Sequence, residues 1–380
     1  MRRATAGRWA VALTGTIAIG LLPSALAALP ANGSGRTPRQ TITAARASAS
    51  ISHEGFVETT GSLGLPDLPQ LGEVAALLGG TTHARVWWRS PTAWRVDRVT
   101  PTGESDTYAW RGKLHTWDFE SNRARTVLAE SSVRLPRVDD LLPPQAARRV
   151  LAGVTRDDQL SALPAERIAG RSADGVRIVP VATDTTVGRI DLYVDSASGL
   201  PLSLLLYPRG SSNAALSSRF LDVRLGRPDS GVLTPRIPQR VPNEPVTVPD
   251  LAAAIDVFAP FELPDRLGSF ERSRDLVSLG GTVTYGVGLA RFIVLPLPPE
   301  LGRSALTAAT EGGGVQLTVS GGSAVQIGTP LLNAVIAHSE QESGPSLDRR
   351  GRSYLIAGLV GHDTLTAAVT ALFDDPPPGR

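Results

Sequence analysis

The sequence predicts an α+β protein with antiparallel sheets, divided into a larger N-terminal part and a smaller C-terminal part. Three observations carry this. Between Ser50 and Val360 many segments alternate apolar and polar residues with a period of two. Short turn sequences such as Ser90-Pro91, Pro101-Thr102-Gly103 and Arg111-Gly112 join them, and short loops between successive strands build antiparallel meanders. Six prolines between Arg227 and Pro249 then split the alternating segments into two sets.

In chain order, Arg2, Arg3 and Arg8 precede a 14-residue apolar block from Trp9 to Leu22, followed by Pro23 and Ala25-Leu26-Ala27. This predicts a secretory signal over residues 1–27, a mature chain starting near Ala28 and an extracytoplasmic location. The alternative is an uncleaved N-terminal membrane anchor. No later stretch reaches the ~18 apolar residues a membrane helix needs. Thr37 to Ala49 reads as a short helix. Strands follow at Ser50–Thr60, Thr81–Arg89, Thr92–Thr100, Ser105–Arg111, Leu114–Glu120 and Arg123–Leu128. Leu71–Leu78 forms a helical insert before the second of these. A helix at Pro144–Leu151 precedes strands at Arg177–Ala182, Gly188–Asp195, Leu202–Tyr207 and Ser217–Leu225. The first domain is placed at residues 28–226 and an extended Pro-rich linker at 227–249. A second α+β domain is placed at 250–373. It holds strands near Thr282–Gly288, Ala290–Leu295, Val315–Ser320, Ala324–Ile327, Asn333–His338 and Ser353–Val360. A closing helix follows at Thr364–Phe373, with Leu365, Ala368, Val369 and Leu372 in one stripe. Residues 374–380 form a tail.

Composition removes several function classes. The chain has no Cys, so disulfides, thiolate metal sites and cysteine nucleophiles are excluded. Its formal charge is +2, and removing the three arginines of the leader leaves −1. Nucleic-acid binding is therefore not expected. Lys113 is the only lysine. That arginine bias points to a GC-rich, actinobacterial coding sequence rather than to a basic surface. Phosphate-loop, zinc-protease and nucleophile-elbow motifs are absent, and the five histidines are scattered. The expectation is a protein without catalytic residues, metal or cofactor.

One pattern stands out. Trp87, Trp88, Trp94, Trp110 and Trp117 fall within 31 residues, on four successive strands. Phe56, Trp88, Trp94, Tyr108, Trp110, Trp117 and Phe119 are accordingly the candidate lining of an apolar cavity that receives a ligand. An ordinary sheet core, where aromatics make favoured cross-strand pairs, is the competing reading.

The run Gly188-Arg-Ile-Asp-Leu-Tyr-Val-Asp-Ser-Ala-Ser-Gly199-Leu-Pro-Leu, then Tyr207 and Ser218-Arg-Phe-Leu-Asp-Val223, resembles a known signature. It is the strand, D-x-x-T/S-G-L-P, strand pattern of the LolA/RseB (MucB) superfamily of periplasmic lipoprotein carriers and sigma-E regulators. Ser52-His53-Glu54-Gly55-Phe56 and Pro91-Thr92-Ala93-Trp94-Arg95-Val96 are similar to that superfamily's opening strands. The resemblance spans about residues 37–238. It implies an unclosed antiparallel β half-barrel covered by helices, with an apolar cavity between sheet and helices. It also implies a binding protein: a regulator engaging a membrane-anchored anti-sigma factor or a lipid, or else a carrier of lipid or lipoprotein through the envelope. The C-terminal part has no confident match in the regulator, and no ligand-contacting residue transfers.

Overall fold

A computed structural model describes residues 31–63, 72–100, 103–128, 136–238, 240–246, 262–273, 283–340 and 351–375. The expected secretory signal and the end of the tail lie outside these residues.

The first sheet is built as the alternation dictates. Helix α1 (Pro38–Ala47) starts at Thr37, whose hydroxyl accepts the Gln40 N–H while the Gln40 side chain accepts the Thr37 N–H. Strand β1 (His53–Gly61), helix α2 (Gly72–Leu78) and a meander follow: β2 (Thr81–Ser90), β3 (Ala93–Val99), β4 (Glu104–Trp110), β5 (Lys113–Asp118) and β6 (Arg123–Val127). Helix α3 (Pro143–Ala152) precedes β7 (Gln159–Ile168), β8 (Arg171–Val179), β9 (Val187–Asp195), β10 (Pro201–Pro208) and β11 (Leu216–Leu225). A single turn α4 (Ser230–Leu233) and β12 (Asn243–Val246) complete this part. The strands form one twelve-stranded unclosed sheet ordered β12-β6-β5-β4-β3-β2-β1-β11-β10-β9-β8-β7. Every pairing is antiparallel except that of β12 with β6. Helices α1 and α3 cover one face of it, packed on β8 to β11 and on each other.

Turn chemistry sets the register. Arg111-Gly112 and Ala169-Gly170 each carry two positive φ angles (51° and 74°, 49° and 75°). That geometry gives two-residue hairpins whose twist matches the strands. It places Trp110 opposite Lys113 and Ile168 opposite Arg171. Between β2 and β3 the pairing shifts by one residue between Trp88 and Ser90, which sets Trp88 directly opposite Trp94.

Strand β7 was not legible as a strand because Pro164 interrupts it. The structure places it on the sheet edge, with the pairing with β8 irregular between Leu163 and Glu166, where a missing N–H is tolerated. The expected extended linker is also different: its described residues fold back as a strap. Leu233 is fully buried, α4 packs on β3 and β4, and Pro242 O accepts the Ala124 N–H beside the β12–β6 pairing.

The second part holds the two-stranded β13 (Arg266–Leu267) and β14 (Phe270–Glu271). It also holds β15 (Val283–Val287), β16 (Ala290–Leu297), helix α5 (Pro299–Glu311), β17 (Val315–Leu317), β18 (Gly322–Gly328), β19 (Asn333–Ser339), β20 (Arg352–Gly358) and helix α6 (His362–Asp374). Six strands form an antiparallel sheet, β15-β16-β20-β19-β18-β17. The Leu365, Ala368, Val369 and Leu372 stripe of α6 packs on one face, with Val335, Ala337, Tyr354 and Ile356. Helix α5, unanticipated because its inward face is the small Gly302, Ala305 and Ala309, packs on the other, against Val325 and Ile336.

The two sheets share packing. The Thr186 N–H reaches the Leu359 carbonyl, the Gly361 N–H reaches Asp184, and the buried Thr185 hydroxyl lies between the carbonyls of Leu289 and Leu359. Leu289 and Leu331 of the second part join the apolar core of the first.

Candidate functional site

The superfamily-like motif is a structural turn. The Asp195 carboxylate accepts both the N–H and the hydroxyl of Ser198 (2.7 and 2.6 Å) and takes a two-pronged ion pair from Arg171. Burial works against its charge, yet these partners hold the carboxyl below the usual range. Gly199 has φ 84°, and a Cβ there would meet Ala44 of α1 at 3.0 Å. The signature thus seats α1 on the sheet.

The structure does not bring the seven candidate aromatics together. Opposed residues share a face, so the register sorts them. Trp88 and Trp94 lie on the helix-covered inner face with Val86 and Val96. Their rings stack at 5.8 Å, His53 stacks on Trp88, and Phe220 meets His53 edge-on. Both indoles are 4% exposed, and their N–H groups reach the Ala49 and Pro91 carbonyls. Phe56, Tyr108, Trp110, Trp117 and Phe119 belong to the outer face. Phe56 pairs with Arg85 and stacks on His83, Tyr108 pairs with Arg95 and His115, and Trp117 pairs with Asp106 and stacks on Phe119.

That outer face encloses a charged knot. The Arg95 guanidinium lies 5.1 Å from the Trp87 ring and 4.9 Å from Tyr108, and it pairs with Asp97 and Asp106. Burial pushes the Asp97 carboxyl up to about 8, Arg95 working against it and Asp106 adding to it. Tyr108 donates to Asp106 at 2.9 Å and is itself pushed up by burial. Asp97, Glu104 and Asp106 bring carboxylate oxygens within 4.8 Å of one another, with Arg95 supplying the positive charge.

Two cavities open on the inner side, and none of the seven aromatics lines either. The first, about 360 Å³, is apolar: Leu63, Leu78, Leu141, Leu206, Leu216 and Ala146 of the first part meet Leu331, Leu332 and Leu359 of the second. Asp140 and Arg149 pair at its rim. The second, also about 360 Å³, lies over β3 to β6 and is lined by Arg98, Arg123, Arg125 and Arg137 with Ser, Thr and Asp118. Pro136 lines both, and of α2 Leu78 lines the first and Leu77 the second. Sequence reading missed the apolar cavity because its leucines come from seven separated segments. It missed the other because scattered arginines acquire a common face only through the register. Among the described residues no helix is long and apolar enough to cross a membrane.

No protein-family model and no curated protein sequence matches the chain. Among solved structures, MucB in complex with the periplasmic part of MucA matches with 16% identity and TM-score 0.46, over 88% of this chain and 98% of that one. The Pseudomonas aeruginosa MucA/MucB complex matches with 18% identity and TM-score 0.46, over 87% and 96%. A LolA-superfamily protein from Nitrosomonas europaea matches with 12% identity and TM-score 0.23, over 53% of this chain and 99% of that one.

Proposed function

We propose that this protein is an extracytoplasmic, non-enzymatic binding protein that regulates an envelope signal by holding an apolar ligand in the leucine-lined cavity. The observation that carries the reading is the cavity itself. It is concave and apolar, and its volume of about 360 Å³ falls within the ~300–1,000 Å³ range of ligand pockets. The resemblance around Asp195–Leu202 adds the kind of partner, a membrane-anchored anti-sigma factor. The carrier alternative needs only one sheet and its helices. Here Leu331, Leu332 and Leu359 of the second part complete the wall, so an occupant touches both parts, and this favours the regulator. Titration with a naphthylamine fluorophore tests the reading. Wild type is expected to bind it, and Leu332→Glu, which puts a charge in the wall, is expected to bind at least about ten-fold more weakly with an unchanged thermal midpoint. Equal affinities would remove the cavity as the site.

A further inference from the structure

The second part carries a trough of its own, about 750 Å³ in volume, walled by residues 312–315 and 326–330 and by His362. It lies where the edge strand β17 and its neighbour β18 meet the N-terminus of α6. Gln326 pairs with Val315 and with Val335, so its side chain is on the α6 side of the sheet, as Val335 is. It is only 7% exposed, yet its Nε2 donates to nothing among the described residues. An amide donor buried without an acceptor costs stability, and here it stands in the wall of a trough. At the same place α6 runs for 13 residues from an N-cap, Gly361, that makes no side-chain cap. The N–H groups of its first turn therefore have no partner within the helix and carry the positive end of its dipole. Gly328 lets the helix end come close: a Cβ there would stand 2.5 Å from the His362 ring, so the ring lies on the backbone of β18.

Among the described residues no arginine or lysine lines the trough, and the exposed Asp363 already answers part of the dipole. That balance suits one negative charge shared by two acceptor oxygens, not a multiply charged anion. Val315, which is 65% exposed, Ile327 and Pro330 add apolar surface to the walls. We propose that this trough is a carboxylate site. The Gln326 amide and the first turn of α6 hold the carboxylate, and Val315, Ile327 and Pro330 take a short aliphatic group attached to it. A free aliphatic amino-acid derivative and the C-terminus of a peptide ending in an aliphatic residue share this chemistry. The trough has no residue in common with the leucine-lined cavity, so the proposal does not rest on that reading.

Titration of the protein with N-acetyl-valine, with its uncharged amide and with the tripeptide Ala-Ala-Val tests it, by calorimetry and by the Gln326 side-chain amide resonances. The acid is expected to bind at least about ten-fold tighter than the amide, the worth of one charge-assisted hydrogen bond, and to shift those resonances. Gln326→Met keeps the length of the side chain and removes the unpartnered donor. It is expected to lose the preference for the acid with a thermal midpoint unchanged or raised. Tripeptide binding without N-acetyl-valine binding would support the site with a peptide C-terminus as its ligand, and equal binding of the two would support a free acid as sufficient. Equal affinity for acid and amide, or binding of none of the three, would overturn the proposal. A preference for the acid that survives in Gln326→Met while its midpoint falls would make Gln326 a packing group and overturn it as well.

Discussion

On β8 to β11 the side facing the helices is apolar: Ile178, Ile190, Leu192 and Leu204 are buried there, while the other side carries ion pairs such as Arg177 with Asp191. On β3 to β6 the helix side turns polar beyond Val96, with Arg98, Thr107, Thr116 and Arg125, and the aromatics crowd the opposite side. Within one sheet, the helix side is thus apolar at β8 to β11 and carries arginines and threonines next to Trp94 and Val96 at β3 to β6, where the outer side also buries Asp97, Asp106 and Tyr108. The strap explains how this is tolerated. Leu233 and Val241 are buried, the α4 turn packs on β3 and β4, and β12 pairs with β6, so the strap lies against this end of the sheet. The inner face at that end keeps Trp94, Val96 and Leu114 in the core and beyond them carries arginines around a recess.

Substitutions can break this contrast or sharpen it. The largest effect is expected from Trp94→Ala on the inner face, a loss of about 3–5 kcal/mol in urea unfolding, the usual result for a buried aromatic. Trp117→Ala, on the half-buried outer face, should lose clearly less. Equal losses would mean both faces are equally core. Leu233→Ala is expected to cost about 2–5 kcal/mol and to raise hydrogen exchange in β6 and β12 ahead of β9. Uniform exchange would show that the strap does not serve one end of the sheet.

Two buried groups on opposite faces of the sheet also titrate in opposite directions. His53 is buried, its Nδ1 donating to the Ile51 carbonyl, and burial lowers its pKa to about 4. The unfolded chain binds that proton from about 6.5 downward, so stability is lost as pH falls from about 6.5 to 4, by on the order of 3 kcal/mol. Asp97 is raised to about 8, so its folded form holds a proton that the unfolded chain releases above about 4. Its contribution is present at acid pH and lost as pH rises through about 8. His53→Phe should flatten the acid limb of a stability–pH curve, and Asp97→Asn the alkaline limb. A limb unchanged by its own variant would assign it to other groups. The smallest effect is expected from Arg123→Gln, within about 0.5 kcal/mol, because an exposed arginine with no ion pair among the described residues supports little of the fold.

Most strands and the closing helix were legible, because alternation and the i, i+3, i+4 stripe are local signals. The aromatic cluster was legible as composition and not as geometry. Which face each ring takes depends on parity across hairpins. The Arg111-Gly112 turn made Tyr108 and His115 opposed partners in principle. The irregularity after Trp88, however, has no mark in the sequence, and it decides that Trp88 faces Trp94. The strap was hidden by its prolines: Pro242 and Pro245 read as spacer residues, although Pro242 supplies a carbonyl and Pro245 sits on an edge strand.

Strand β1 pairs with β2 on one side and on the other with β11, setting His53 opposite Leu225. Each half of the sheet is a local meander, yet they are joined only by this seam between residues far apart in the chain. Loop-closure entropy must be met before that pairing stabilises anything, so the seam is a late and slow event in folding. Until it forms, β1 exposes an unpaired edge and Phe220 has no His53 to meet. The seam therefore sets the interval in which a newly made chain is open to aggregation or to a chaperone, and destabilising β11 should lengthen that interval more than destabilising β5.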